Sequence, residues 1–459
     1  MSISETYDVA SELTSRVPLS HTQEFLRMFD QGDVAGPFGP RYNIVVGWRV
    51  RGEIDIAVLQ QALDDVVARH DVLRAAIVRG EGTGYQTIRP PSSARLAVLD
   101  LPQAGDRSRD LLAEEFLGDI EAGSYDSREL PHMRVILGRF DDEDAVLALI
   151  AHHTASDGWS MQLLIRDIAS CYAARRGHAV PALPEARSYQ EYVAWQQANS
   201  AGAAAQAARE YWRRKLHDAR ILGVSTDHPR SAGLAKTSPV YRFVVPAELT
   251  SAALEYARAT RCTPFMVFLA VYNVLLHKAT GATDLVMPTL TSGRNHPEFQ
   301  NTVGPFFNFI LLRTDISDCA TFRAVAEQTR RTCMEAYAHE VPFTQILQVA
   351  PEVMAPLMED GLAACAIQAW QFSSVLDHEL IGDLEYAEVR SRLLPQHDGT
   401  DIPDGALLTL DLDPSGQAFG NIAYNSNLFD ESSMAALVAD FRRILHNAII
   451  EPDTPLREI

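Results

Sequence analysis

Residues 145–166, AVLALIAHHTASDGWSMQLLIR, constrain the fold more tightly than any other stretch of the chain. Six apolar residues in a row, from Ala145 to Ile150, read as a strand covered on both faces, since a half-exposed strand would alternate. A polar turn follows, holding His152, His153, Asp157 and Gly158, and from about Ser160 the pattern becomes that of an amphipathic helix. A central strand that delivers two imidazoles, a carboxylate and a glycine to its C-terminal end places chemistry there, beyond what packing needs.

Composition narrows the class. At 459 residues the chain is too long for one ordinary core, so two lobes are expected. With 47% hydrophobic and 22% charged residues and no low-complexity tract it reads as globular. No apolar run is long enough to span a bilayer. The N-terminal MSISETYDVASELTSR lacks a basic region followed by an apolar one, so it is not read as a secretory signal. Five scattered cysteines, Cys171, Cys262, Cys319, Cys333 and Cys365, form no Cys-x-x-Cys. They suit reduced thiols in a cytoplasm and offer no zinc site. A formal charge of −20 argues against nucleic acid, whose phosphates need a basic face.

Strands and helices alternate in both halves, which makes the fold class α/β. Ser20, with Gln23 three residues on, has the spacing of a capping box for a helix within 17–30. Residues 42–50 read as a strand, 55–70 as an amphipathic helix, and 72–78 and 85–88 as strands joined by a glycine-rich hairpin turn. Residues 177–187 carry two prolines and no periodicity, so the chain divides into a first lobe, 1–178, a linker, 179–188, and a second lobe, 189–459. In the second lobe Thr263-Pro264 starts a helix. Strands are expected over 240–245, 285–290, 308–314, 364–372, 384–389, 406–412 and 419–424, and a closing helix over 430–450 is expected to be capped by Asp430.

Three readings of His152-His153-x-x-x-Asp157-Gly158 compete. A metal site is disfavoured, because adjacent residues on an extended backbone point opposite ways and cannot share one ion. A buried, satisfied imidazole is the reading preferred for His152. General-base catalysis by the other histidine suits an imidazole, whose free pKa near 6.5 lets the neutral form accept a proton.

The stretch HHTASDGWS resembles the His-His-x-x-x-Asp-Gly signature of the condensation domains of nonribosomal peptide synthetases. Its His-x-x-x-Asp-Gly core is shared with chloramphenicol acetyltransferase. Further stretches match in order and spacing: PLSHTQ at 18–23, the run from Tyr42 to Ala75 ending RHDVLRA, YWRRKL at 211, SGRNHPEF at 292, VGPFFNFILLR at 303, VPFTQIL at 341 and NIAYNSNLFD at 421. The resemblance implies two chloramphenicol-acetyltransferase-like lobes in a V-shaped pseudo-dimer, with the active site in a tunnel at their seam. It also implies that His153 activates or positions an acceptor amine or hydroxyl, and that the Gly158 N–H faces the developing oxyanion. Asp157 would pair with Arg294 across the lobes as scaffold. Trp159, Phe306, Asn308 and Gln371 are named as candidates for the tunnel wall or substrate contact. For Asn308 hydrogen bonding within the seam is at least as good a reading as substrate contact, Phe306 is read as core or tunnel wall ahead of a specificity role, and Trp159 is read as packing the loop.

In such enzymes the donor is an acyl thioester on the phosphopantetheine arm of a carrier protein, so the enzyme is expected to bind no cofactor of its own and no metal. Neither a carrier domain nor an adenylation domain is visible. The chain therefore reads as a free-standing acyltransferase of natural-product, including antibiotic, biosynthesis, cytoplasmic, meeting an acyl or peptidyl carrier protein in trans and a small amine or alcohol acceptor. The product is an amide or an ester, such as an aminoacyl ester on a polyketide or enediyne alcohol; no membrane or nucleic-acid partner is expected. The alternatives are an epimerase-like enzyme and a silent carrier-binding module.

Overall fold

The computed structural model describes residues 16–459 apart from 81, 103, 104, 106, 371–374, 403, 414 and 415. The stretch read as a central strand forms one: Asp144–His152, every residue of which from Ala145 on is buried. It lies inside a six-stranded sheet, antiparallel to Asn43–Arg51 on one side and to Met133–Arg139 on the other, with Ala148 facing Gly47 and Ile136. Arg95–Asp100 closes one edge, parallel to Met133–Arg139. Helices Ile56–Arg69 and Gly158–Arg175 cover one face, where Leu63, Val66, Leu164 and Ile168 pack with Trp48 and Leu149 in one core. Helix Arg109–Glu121 covers the other, with Leu117 against Val146 and Ile150.

The second half is built round helix Pro264–Thr280, which is buried at every position from Met266 to Leu276. Thr263 caps it, Pro264 occupies its first turn and Gly281, at φ +74, ends it in the left-handed region. Burying each Val, Leu or Phe along such a helix stabilises the fold by roughly 1.5–3 kcal/mol before the cost of ordering. The helix packs with a five-stranded sheet in the order Gly223–Ser225, Leu362–Trp370, Ala406–Leu412, Ala418–Tyr424 and Val240–Val245, and with the pair Asp284–Thr291 and Asn308–Asp315. A small sheet of Arg16–Pro18, Tyr85–Ile88 and Ala75–Val78 contains the glycine-linked hairpin. Ser20 caps His21–Arg27 in a capping box with Gln23, as its spacing implied.

Two expectations change. The strand expected near 384–389 forms, as Leu384–Glu388, but it joins the six-stranded sheet of the first half, with Glu388 opposite Trp48. Together with Glu379–Ile381 it carries the second stretch of chain across the division at 179–188, because strand pairing is settled by non-local contacts that a local pattern does not encode. Asp430 stands at the start of helix Glu431–Ile450 without capping it. Its carboxylate turns instead to Nε2 of His228, 2.9 Å away.

A buried ion cluster also joins the halves. Arg242, from Val240–Val245, lies 3.1 Å from Glu121 and 3.8 Å from Glu114 on helix Arg109–Glu121, and Arg392 donates to the same Glu121. Burial pushes the Glu121 carboxyl up, but Arg392 and Arg242 outweigh it and hold the pKa below the ordinary value. Removing one side of such a cluster leaves like charges buried together. Glu121→Leu is expected to lower stability by about 3–5 kcal/mol, read as a shift in the urea midpoint; a change under about 1 kcal/mol would show that the cluster does not tie the halves.

Candidate active site at the seam

The polar turn behind the central strand places its two histidines in opposite environments. His152, 3% exposed, turns into the first half. Its Nε2 lies 3.2 Å from the Gly39 carbonyl oxygen, an acceptor only, so Nε2 carries the proton. Its Nδ1 then accepts from the Thr154 hydroxyl at 2.7 Å. Burial, then the neighbouring His132 ring, pushes its pKa down to about 3. This imidazole is a neutral, satisfied packing element.

His153 turns the other way. Its ring stacks on Tyr42, with centroids 4.9 Å apart, and meets the edge of Phe307 at 4.6 Å. Tyr42 precedes a strand of the first half and Phe307 precedes Asn308–Asp315 in the second, so the half-buried ring stands at the seam. Nδ1 lies 2.9 Å from the Ser156 carbonyl oxygen, which requires the proton on Nδ1 and leaves Nε2 as the basic nitrogen. Burial lowers the pKa, and the Ser156 carbonyl and the Asp157 carboxylate pull the other way. A neutral imidazole with a fixed tautomer and an unengaged lone pair can take a proton from a nucleophile.

Asp157 starts the next helix and is saturated by its surroundings. Oδ1 accepts from Ser160 N at 2.7 Å, capping Gly158–Arg175, and from Arg294 Nη2 at 3.0 Å. Oδ2 accepts from Phe306 N at 3.1 Å and from the same Nη2 at 3.2 Å. Four hydrogen bonds exhaust a carboxylate, so Asp157 holds the loop and is left nothing for a substrate. Arg294 also donates from Nη1 to the Phe299 and Thr302 carbonyls, at 3.2 and 2.8 Å, and its guanidinium lies 3.9 Å over the Phe306 ring. Gly293, at φ +62, permits the approach: a Cβ there would fall 1.8 Å from the Phe306 carbonyl oxygen. The Asp157 cap leaves the N–H of Gly158, the first helical residue, pointing out of the helix end.

The remaining candidates divide. Phe306 is 1% exposed and packs between Arg294, Tyr189 and Tyr192, so it is core and not wall. Asn308 donates its amide to Glu340 and to the Val341 carbonyl and accepts from Phe343 N, so its hydrogen bonds are spent within the second half and do not cross the seam. Trp159 donates to the Gln300 carbonyl at 3.0 Å and packs the loop. Gln371 lies outside the described residues. The sequence reading missed Tyr42, which begins a matched stretch, and Ser160. The Ser160 hydroxyl bridges Arg294 Nη2 at 2.9 Å and the Gly304 N–H and carbonyl at 3.0 Å each.

Two outcomes follow. Asp157→Ala is expected to lose about 3–5 kcal/mol of stability. A double-mutant cycle with Arg294→Met should show that the second change costs far less once the first is present; additive losses would refute the pairing. His152 and His132, both buried, have pKa values pushed down to about 3 and about 4. Below about pH 6.5 the unfolded chain therefore binds more protons than the folded one, and stability should fall as pH drops from about 6.5 toward 4. His152→Gln should flatten that slope in pH-dependent unfolding.

Comparison with known proteins gives these contacts a context. The family model for the Condensation domain matches residues 14–459. A linear gramicidin synthase of Brevibacillus parabrevis is 29% identical over 457 residues, 98% of this chain but 9% of that protein. The probable non-canonical nonribosomal peptide synthetase CymA of Salinispora arenicola is 30% identical over 96% of the chain and 6% of its own length. The chain thus spans less than a tenth of these relatives. Among solved structures, SgcC5 of Streptomyces globisporus superposes with a TM-score of 0.91 at 46% identity, over 95% of this chain and 100% of that one. The first condensation domain of the calcium-dependent antibiotic synthetase shares the fold, with a TM-score of 0.77 at 22% identity over 96% and 98% of the two chains. A match over nearly the whole chain, with a loop-to-loop Asp157–Arg294 pair behind His153, places this protein in the condensation-domain family.

Proposed function

We propose that this chain transfers an acyl group from the thioester of a carrier protein's phosphopantetheine arm to a hydroxyl or amine of a small acceptor, forming an ester or an amide. The observation that carries the reading is the Ser156 carbonyl at 2.9 Å from His153 Nδ1, which directs the basic lone pair to Nε2 at the seam. In the proposed step the acceptor oxygen or nitrogen attacks the thioester carbonyl as Nε2 takes its proton. The new C–O or C–N bond forms, the C–S bond breaks, and the proton passes from the imidazolium to the leaving thiolate. The Gly158 N–H is the proposed donor to the oxyanion. Thioesters are already activated, so no covalent enzyme intermediate is needed, and holding two reactants in line is worth roughly 7–11 kcal/mol on its own.

An alcohol acceptor has specific support: SgcC5, at 46% identity, was solved with (R)-(-)-1-(2-naphthyl)-1,2-ethanediol and sucrose. The curated relatives, peptide synthetases, support amine chemistry by the same step. The acyl group arrives on the carrier's arm, so the pantetheine is substrate here and not a resident cofactor. The carrier protein in trans and a cytoplasmic site of action belong to the same proposal. The five free cysteines suit that compartment, and among the described residues no single helix is long and apolar enough to cross a membrane.

Incubating the purified chain with loaded carrier proteins and a panel of diols and amines, followed by mass spectrometry, is expected to yield an acylated acceptor. His153→Ala should slow transfer by on the order of 10²–10⁴. A fall of only a few-fold would assign His153 to positioning, and unchanged turnover would remove it from the chemistry.

A further inference from the structure

The ring that stacks on His153 ends in a hydroxyl at the seam. Strand Asn43–Arg51 pairs with Asp144–His152 up to Asn43 opposite His152, so Tyr42 stands opposite His153 one step beyond the ladder. The His153 N–H donates to the Tyr42 carbonyl at 3.0 Å, which carries the pairing on to these two residues. Residues opposed in an antiparallel pair send their side chains to the same face. The two rings accordingly run side by side, with centroids 4.9 Å apart and planes 20° from parallel. Tyrosine is the longer side chain, so its hydroxyl extends toward the far edge of the imidazole, where Nε2 lies, and reaches at least as far.

The protein itself does not use that hydroxyl. Tyr42 is 7% exposed, and its oxygen has no partner among the described residues. The unpartnered hydroxyls of Tyr211 and Tyr256 are sealed from solvent, whereas that of Tyr42 is not, so the small open part of this side chain includes its oxygen. Burial, then the Asp401 carboxylate, push the phenol pKa above its ordinary value, and the group keeps its proton as a donor. The side-chain donors of the loop are engaged elsewhere: Thr154 with His152 Nδ1, Ser156 with the Asp157 carbonyl, Trp159 with the Gln300 carbonyl and Ser160 with the Gly304 carbonyl. An oxyanion formed beside His153 therefore meets the Gly158 N–H and, among the described side chains of this loop and its cross-strand neighbour, one unengaged donor. Two hydrogen bonds of about 2.8 Å each, with a reacting carbon and its oxygens between them, more than span the 4.9 Å between the ring centres. One substrate can touch both rings.

We propose that the Tyr42 hydroxyl donates a hydrogen bond to the carbonyl oxygen of the acyl thioester and completes, with the Gly158 N–H, a two-donor oxyanion site. This role rests on the acyl-transfer reading above. As the acceptor attacks and Nε2 takes its proton, the carbonyl π pair moves onto oxygen, where both donors meet it. When that pair returns, the C–S bond breaks and the leaving thiolate takes the proton from the imidazolium. Tyr42 keeps its own proton throughout. Because this donor acts on the carbonyl, it serves alcohol and amine acceptors alike.

Steady-state transfer from a loaded carrier protein to a diol and to an amine, with the full chain, tests this. Tyr42→Phe keeps the ring stack and is expected to lower kcat by on the order of 10²–10³ with both acceptors, while the KM of each acceptor changes less than threefold. Replacing Tyr42 by 4-aminophenylalanine returns an N–H donor to the same place and should bring kcat back to within tenfold of the parent chain, a recovery that a ring needed only for packing would not show. Melting curves establish that the variants are folded; if Tyr42→Phe is not, 4-methoxyphenylalanine, which fills the space without a donor, takes its place. Unchanged kcat in the folded variant, a loss that 4-aminophenylalanine does not recover, or an effect confined to the KM of the diol would overturn the proposal while leaving acyl transfer intact. No acylated acceptor from the parent chain with any loaded carrier would overturn the acyl-transfer reading, and this role of Tyr42 with it.

Discussion

A carboxylate and a guanidinium 3.0 Å apart, each more than nine-tenths removed from water, join a loop of the first half to a loop of the second. Burying either charge alone is unfavourable by several kcal/mol, and mutual attraction offsets this only when the remaining donors and acceptors are satisfied. Here they nearly all are. Asp157 also receives the Ser160 and Phe306 N–H groups, while Arg294 also reaches two carbonyls and the Ser160 hydroxyl. The same carboxylate caps the helix that follows the loop, so helix start, loop shape and the approach of the two halves are settled by one group. Gly293 leaves room for this, and no other residue would clear the Phe306 carbonyl.

On that frame two adjacent imidazoles acquire different chemistry. An extended backbone sends successive side chains to opposite faces, so His152 enters the core and His153 faces the seam. Each ring meets one carbonyl, but through different nitrogens: Gly39 takes the Nε2 proton of His152, and Ser156 takes the Nδ1 proton of His153. The first ring is thereby locked between Gly39 and Thr154, and the second keeps its basic nitrogen unengaged. Second-half contact reaches His153 through Phe307, which lies in the matched stretch that opens at Val303. The side chain that bears the proposed chemistry is thus positioned by the first half and walled by the second.

Much of this was legible from residue order alone. The uninterrupted apolar run from Ala145 to Ile150, the capping box at Ser20 and Gln23, and Thr263-Pro264 before a buried helix are local signals, and local hydrogen bonding and steric preference decide them. The opposed fates of His152 and His153 follow from strand periodicity, and the need for a scaffold at Asp157 from the signature it completes.

Other features required the folded chain. Leu384–Glu388 reads as a strand of the second half, yet with Glu379–Ile381 it extends the sheet of the first, since pairing partners far apart in the chain leave no local trace. The tautomer of His153, the saturation of Asp157 and the loss of Phe306 to the core depend on carbonyls and rings brought from other segments. Residue identity names the groups able to move a proton; only their packing decides which nitrogen is free to do so.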